Sequence, residues 1–435
     1  MKLILAMIAS LLLLSAPTFA QEVVTVAKPK KLKTIVPDDR EDYLENVQLW
    51  RPTNIESMDV LGGPGGDGSF KFDQLLECEF NATGVDASGG ASRKYECKDQ
   101  NQTKHKVKYT VTNYDLDLYK KAGLPEQDRL VINGQTNKEV YAEVAATRLF
   151  WALGFYNDDM YPIQAKCHNC PLDPMLGHAT VLKYPFTFST RYAAVERRLE
   201  AVELAEKPDQ GWTWEEMEKE IGDYPAAGEP ANHRTHFEAL KLLAVFIQHG
   251  DRKAEQQRLV CPPSQLRSTD LTPDEEGVIY ESKDEPLCAQ PIGFVHDLGA
   301  TFGGAGFKSS ENGAKMNLQH WAKKRIFDEY LYNLTARKRK GVRSGICKAN
   351  MVISLAAVNG QQDPIISEYG RAFLGDLLNR FRKAGKVKDL FKAARVQGLG
   401  YTVESWEKTF NDKVNQILEH KCCIPNYNNT KCAGD

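Results

Sequence analysis

The chain carries no strong charge of either sign. Its 56 lysines and arginines face 58 aspartates and glutamates, for a formal net charge of −2. That balance lacks the basic footprint of a nucleic-acid binder. No apolar run after residue 14 approaches the ~20 residues that a membrane helix needs. No cysteine follows the first apolar run, which argues against a lipoprotein. There is no internal repeat and no low-complexity tract. A phosphate loop ending in Gly-Lys is also missing: "GGAGFKSS" has no glycine directly before Lys308. Integral membrane proteins, nucleic-acid readers and nucleoside triphosphatases with that loop are set aside on these grounds.

What is present begins with "MKLILAMIASLLLLSAPTFA". A basic start at Lys2, an apolar run to Leu14 and small residues at Thr18 and Ala20 predict a signal peptide over 1–20, cleaved before Gln21. Without Lys2 the balance is 55 basic to 58 acidic residues, a net charge near −3. The expected location is therefore exported, periplasmic or extracellular. Ten cysteines lie beyond residue 20. An even number in an oxidising compartment predicts disulfides, with Cys78–Cys97, Cys167–Cys170 and Cys261–Cys288 as local pairs. Cys347, Cys422, Cys423 and Cys432 remain for pairing near the C-terminus.

Residues 21–57 are rich in Lys, Asp, Glu and Pro and read as a partly ordered leader. From Phe70 the pattern turns strand-like. "FKFDQLLECEF", "RKYEC" and "KHKVKYTV" predict a three-stranded meander, the last two by alternation of apolar and polar residues. A polar insertion over 113–137 precedes "KEVYAEVAATRLFWALGF". Val140, Val144, Leu149 and Leu153 recur there at helical spacing, and Gly154 marks the stop. "MYPIQAKC" and "HATVLKYPF" read as two further strands. After about Phe188 the pattern is mostly helical. Thr213 and Glu216 form a capping box, "HFEALKLLAVFIQH" is a buried helix, and further helices are expected over 315–335, 366–384 and 402–420. The fold class is therefore α+β, with a β-rich first lobe, a helical second lobe and a cleft between them.

The buried helix runs into "FIQHGDRKAEQQRLVC". A polar segment intervenes, and then comes "PIGFVHDLGATFGG". If "RLVC" and "IGFV" pair as a hairpin, Asp251 lies just before its first strand and Asp297 just after its second. Both carboxylates then reach the same end of the hairpin. Phosphate transfer needs such an arrangement: one acid positions the acceptor and a second holds the metal that bridges the phosphates.

These residues resemble a family. "GDRKAEQ" is similar to the G-D-R-H-x-x-N catalytic loop of phosphoinositide-kinase-like and other atypical kinases, and "FVHDLG" to their strand followed by D-F-G. "KHKVKY" with "EVAATRLFWALGF" resembles a strand lysine and its partner helix. The order also resembles that of uncharacterised exported bacterial proteins with a kinase-like pattern. The resemblance covers roughly 58–420. It implies a bilobal protein-kinase-like fold, with a β-rich N-lobe over 58–187 and a helical C-lobe over 188–435. Asp251 would be the catalytic acid, and Gln256 and Asp297 the metal ligands. Lys108 would hold the nucleotide phosphates and pair with Glu143, with Lys106 and Glu139 as the alternatives. Gln256 stands where Asn is expected, Lys253 where His is, and Leu298 where Phe is. The implied cofactors are Mg2+ or Mn2+ with ATP or another nucleotide, and the acceptor is an unknown protein or small molecule.

"GGPGGDG" contains G-x-G-x-x-G from Gly63 to Gly68, but it precedes a strand, so the dinucleotide reading fails its context. Gly89 and Gly90, in a small-residue loop between two strands, are the expected phosphate lid. His249, Asp251, His296 and Asp297 allow a second reading as a metal-dependent phosphoester hydrolase. The third is a pseudokinase that binds a partner without chemistry. "CHNC" (Cys167–Cys170) reads as a structural disulfide before a zinc site, and "ARKRKGVR" as a solvated basic helix end.

Overall fold

Alternating side chains close a barrel in the first half of the chain. The computed structural model describes residues 31–435 except 82–91, 134–135, 175–186, 207–209, 226–228, 252, 269–270, 283–285, 304–314, 328–346, 351–363, 423–424, 427–428 and 433–435. The barrel strands are β2 (Gln74–Phe80), β3 (Lys94–Lys98), β4 (Lys104–Thr110), β5 (Asp159–His168) and β6 (Phe188–Arg197). They close in the order β2-β3-β4-β6-β5, with β2 parallel to β5 and the other pairs antiparallel. Tyr95, Val107, Tyr109, Ile163, Phe188 and Val195 fill the interior. The period of two then turns Lys94, Lys106, Lys108 and Glu196 to the opposite face.

A second sheet joins segments far apart in sequence. Its strands are β1 (Thr34–Val36), β7 (Val202–Leu204), β8 (Gln257–Cys261), β9 (Val278–Tyr280) and β10 (Ile292–Val295), in the order β10-β8-β7-β1-β9. Between and around the sheets lie α1 (Arg40–Glu45), α2 (Asn113–Lys121), α3 (Glu126–Asn133), α4 (Glu139–Leu153), α5 (Trp214–Glu220), α6 (His233–Ile247), α7 (Leu318–Lys323), α8 (Glu368–Lys383), α9 (Lys386–Ala393) and α10 (Val403–Glu419). The result is a mixed α/β fold.

Helix α4 is buried on almost every face, so its polar side chains, Glu139 and Glu143 among them, need partners inside the protein. It ends at Gly154, at φ 92°. A Cβ there would stand 2.1 Å from the Arg51 carbonyl, so the left-handed stop and the close approach both require glycine. Helix α6 starts at Asn232, whose side chain accepts the Thr235 N–H at 3.1 Å. It ends at buried Gln248, at φ 57°, an uncommon conformation for a residue with a side chain. That turn delivers the chain into His249–Gly250–Asp251.

Elements appear where the sequence left the chain unassigned, and the helical reading after Phe188 needs correction. The strands β6 to β10 lie between Phe188 and Val295, so that stretch is not mostly helical. The leader contributes β1 and α1, with Ile35 and Leu44 buried. The polar insertion over 113–137 carries α2 and α3. The helix expected over 315–335 is described only as Leu318–Lys323. The signal peptide, "HATVLKYPF", Gly89, Gly90 and "ARKRKGVR" lie outside the described residues. The capping box at Thr213 and Glu216 is present, with both reciprocal hydrogen bonds.

Four cysteine pairs stand at disulfide distance: Cys78–Cys97, Cys167–Cys170, Cys261–Cys288 and Cys347–Cys422. The first three are the expected local pairs. The fourth resolves half of the C-terminal set, and the side chains of Cys423 and Cys432 lie outside the described residues. Cys261–Cys288 spans 27 residues and closes the base of the β8–β10 insertion. In the chain-entropy model a loop of that size contributes roughly 3–4 kcal/mol. The double variant C261S/C288S should therefore lose about that much in denaturant titrations under oxidising conditions. An unchanged midpoint would contradict it.

A buried lysine on α10 gives a second test. Lys413 on α10 is 1% exposed. Its ammonium faces the Lys324 carbonyl at 2.5 Å and the Trp321 ring at 5.5 Å. Burial lowers its pKa from 10.5 to about 7. The unfolded chain then binds more protons between those values, so this group makes stability rise with pH from about 7 to 10.5. Lys413→Met should raise the thermal midpoint at pH 6, and the gain should shrink toward pH 10. A gain that grows with pH would contradict the sign.

Candidate active site

The face of β4 opposite the barrel interior presents Lys106 and Lys108, and the two lysines part ways. Lys108 hydrogen-bonds the Glu143 carboxylate of α4, and its ammonium lies 3.9 Å from Asp297 Oδ1. Lys106 instead pairs with Glu196 on β6 at 2.5 Å. The Glu139 alternative is also removed, because Glu139 pairs with Lys315. Lys108 and Glu143 are both 4% exposed, whereas Asp297 is 29% exposed. The triad is thus sealed on the helix side and open on the Asp297 side.

The expected hairpin positions the acids. Strands β8 and β10 pair antiparallel, with Gln257 opposite Val295. Beyond them the two segments stay tied: the His296 N–H donates to the Gln256 carbonyl at 2.7 Å, and the Gly250 N–H to the Ala300 carbonyl at 2.8 Å. Asp251, Gln256 and Asp297 therefore occupy one strip. The Gln256 amide donates to Asp251 Oδ2 at 3.4 Å, and Lys253 stands 3.8 Å from the same oxygen. The Gly299 N–H donates to Asp297 Oδ1 at 3.0 Å and fixes that carboxylate at the turn.

The charges define which groups are ionised. Burial pushes the Lys108 amine down, but Asp297, Glu143, Glu196 and Glu139 outweigh it and hold it well above the usual lysine value. Burial likewise pushes Asp297 up, and there Lys108 and the Gly299 N–H win, leaving it well below the carboxylate range. Glu143 goes the other way: burial raises it, Lys108 pulls it down and the Asp297 charge raises it again, so it ends well above. Asp251 is raised by burial, with Lys253 opposing and Asp297 and Glu139 adding to the rise. One ammonium thus faces two carboxylates, and Asp297 takes the charge.

The hydrolase quartet does not assemble. His296 turns to Asp158 instead, and His249 is fully buried at the end of α6. Among the described residues, the only group of three or more His, Cys, Asp or Glu with ligand atoms within 4.8 Å of one another is Asp158, Glu196 and His296. Asp158 and Glu196 were missed in the sequence because neither sits in a motif. Lys315 was missed too, since nothing in the sequence ties it to Glu139.

The glycine run over 62–68 is not a phosphate cradle. Arg197 donates to the Gly65 and Asp67 carbonyls at 3.2 and 2.8 Å, and the Tyr161 hydroxyl to the Pro64 carbonyl at 2.8 Å. At Gly63, φ is 89° and a Cβ would fall 0.6 Å from Arg148 Nη1. This loop is a cover laid over two arginines.

No family model matches the chain, and no curated protein does. Among solved structures it is similar to the crystal structure of a Helicobacter pylori proinflammatory kinase, CtkA. The two share 11% identity over 79% of this chain and 95% of that one, with a TM-score of 0.36. An overlap that loose does not bear on the activity of this chain.

Removing the central cation is the direct test of the charge arrangement. Lys108→Met leaves two carboxylates together, one of them buried, and breaking a buried pair this way costs about 3–5 kcal/mol. Glu143 is already raised with Lys108 beside it, and losing that cation removes a group that lowers it, so in the variant stability falls more steeply as pH rises above 4.5. The thermal midpoint of K108M should drop at pH 7.5 and recover in part at pH 5. A loss equal at both pH values would contradict the arrangement.

Proposed function

We propose that the chain is an exported, bilobal kinase-like phosphotransferase that uses a divalent metal to move a phosphoryl group from a nucleotide to an acceptor. The observation that carries this reading is the convergence of Lys108, Glu143 and Asp297, with Asp251 and Gln256 on the adjoining strip. Lys106 and Lys315 are taken up by Glu196 and Glu139. Lys108 is then the cation left between Glu143 and Asp297; Glu143 is raised and Asp297 keeps the charge, so Asp297 is the carboxylate that would hold a Mg2+ or Mn2+ ion. Asp297 suits that ion: it is an ionised oxygen donor, partly open to solvent.

The roles then follow from position. Lys108, held by Glu143, reaches the nucleotide phosphates. Asp297 holds the metal, with the Gln256 amide oxygen as a further ligand. Asp251 takes the acceptor proton, and its raised pKa makes it a better base than an exposed aspartate. Gln256 is one methylene longer than the asparagine of the kinases this site resembles, and its amide nitrogen is turned toward Asp251. That departure favours a second reading, a pseudokinase that binds without turnover. The four cysteine pairs fit an oxidising compartment. No described helix is long and apolar enough to cross a membrane.

A thermal-shift panel separates the readings. Mg2+ and a nucleoside triphosphate together should stabilise the protein more than either alone, the bound complex adding about 2.7 kcal/mol over the free protein at one hundred times its Kd. Asp297→Asn should abolish the metal-dependent part. Asp251→Asn should retain binding and lose transfer. Binding without transfer in the wild type would leave the pseudokinase, and no response to any nucleotide with either metal would sink both readings.

A further inference from the structure

Three ligand-bearing side chains meet next to the cleft but outside it. Asp158 lies just before β5, Glu196 on β6 and His296 just after β10. One ligand atom from each falls within 4.8 Å of the other two. The side chains are 4%, 5% and 15% exposed. They come from the barrel and from the five-stranded sheet, so the contact between these two bodies passes through them.

We infer that Asp158, Glu196 and His296 form a site for a divalent transition metal, zinc in preference to magnesium, which fastens the barrel to the residue preceding Asp297. The donor set points to that class. One imidazole with two carboxylates suits zinc, manganese or iron, whereas magnesium favours oxygen ligands and keeps its waters. Three protein ligands leave a position for water.

The surroundings hold the donors in place, as ligand shells do. The Leu199 N–H donates to Asp158 Oδ1 at 2.7 Å, leaving Oδ2 toward His296 Nδ1. Lys106 and Arg198 contact the two oxygens of Glu196 at 2.5 and 3.0 Å. Each carboxylate oxygen has two lone pairs, so an ion pair and a metal bond can share Glu196. The ammonium of Lys106 opposes the metal, which makes this an exchangeable site rather than a locked one. The hydrogen bond between His296 Nδ1 and Asp158 Oδ2 would give way to the metal.

The proposal stands whether or not the neighbouring cleft transfers phosphate. Its test uses the full, tag-free chain with disulfides intact, stripped with a chelator and titrated with Zn2+, Co2+ and Mg2+. The expected result is one equivalent of Zn2+ per chain. Co2+ should give visible absorption bands that Zn2+ bleaches and equimolar Mg2+ does not. D158N and H296Q should weaken Zn2+ uptake at least about tenfold, while D297N keeps it, which tells this site from the nucleotide-metal site. Absence of uptake in the wild type, or unchanged uptake in D158N and H296Q, would overturn the proposal. X-ray absorption of the zinc-loaded wild type reads the ligands even if the variants fail to fold. A single imidazole with oxygens supports the site, and sulfur or several imidazoles overturns it.

Discussion

An ammonium sealed from water has to find its counter-charge in the protein, and for Lys108 that requirement gathers three distant segments. The strand β4 carries it, helix α4 supplies Glu143 and the turn after β10 supplies Asp297. A buried pair of this kind is a poor stabiliser, because desolvation consumes most of the attraction. Packed apolar side chains would serve the fold as well or better. Its geometric consequence is stronger than its energetic one. The pair fixes the rotation of α4 against the barrel and sets where the β8–β10 hairpin delivers its acids.

The second constraint is backbone geometry. Buried Gln248 adopts a left-handed conformation that stops α6 and turns the chain toward Asp251. Two backbone hydrogen bonds, Gly250 to Ala300 and His296 to Gln256, then keep the segments carrying Asp251 and Asp297 side by side. His296 faces the other way, to Asp158 and Glu196. Adjacent residues at the end of one strand thus serve two clusters, Asp297 the Lys108–Glu143 pair and His296 the junction between barrel and sheet. The proposed nucleotide site and the proposed transition-metal site are separated by a single peptide bond.

Local patterns in the sequence carried much of this. Alternation placed Lys108 on β4, helical spacing placed Glu143 on α4, and the paired apolar runs "RLVC" and "IGFV" placed Asp251 and Asp297 at one end of a hairpin. Short cysteine spacings matched three of the four pairs. What was not legible is what depends on long-range pairing. The strand β6 follows a segment that itself reads as strand, so the barrel's last member was assigned to a helical region. The strand β1 is three residues long, set among charged residues, and takes its strand character from β7 and β9 on either side. Asp158 and His296 are 138 residues apart, and no local spacing announces such a contact. The choice of Lys108 over Lys106 was open for a related reason: both share a strand face, and only the partners, Glu143 and Glu196, separate them.

The claim at the centre is that the Lys108–Glu143–Asp297 cleft holds a metal-bound nucleotide. Anomalous diffraction from crystals grown with Mn2+ and a non-hydrolysable nucleoside triphosphate addresses it directly. The account predicts a manganese peak bridging the Asp297 carboxylate and the nucleotide phosphates, with the Lys108 ammonium on the same phosphates. A nucleotide bound elsewhere, or manganese found only at Asp158, Glu196 and His296, would contradict it.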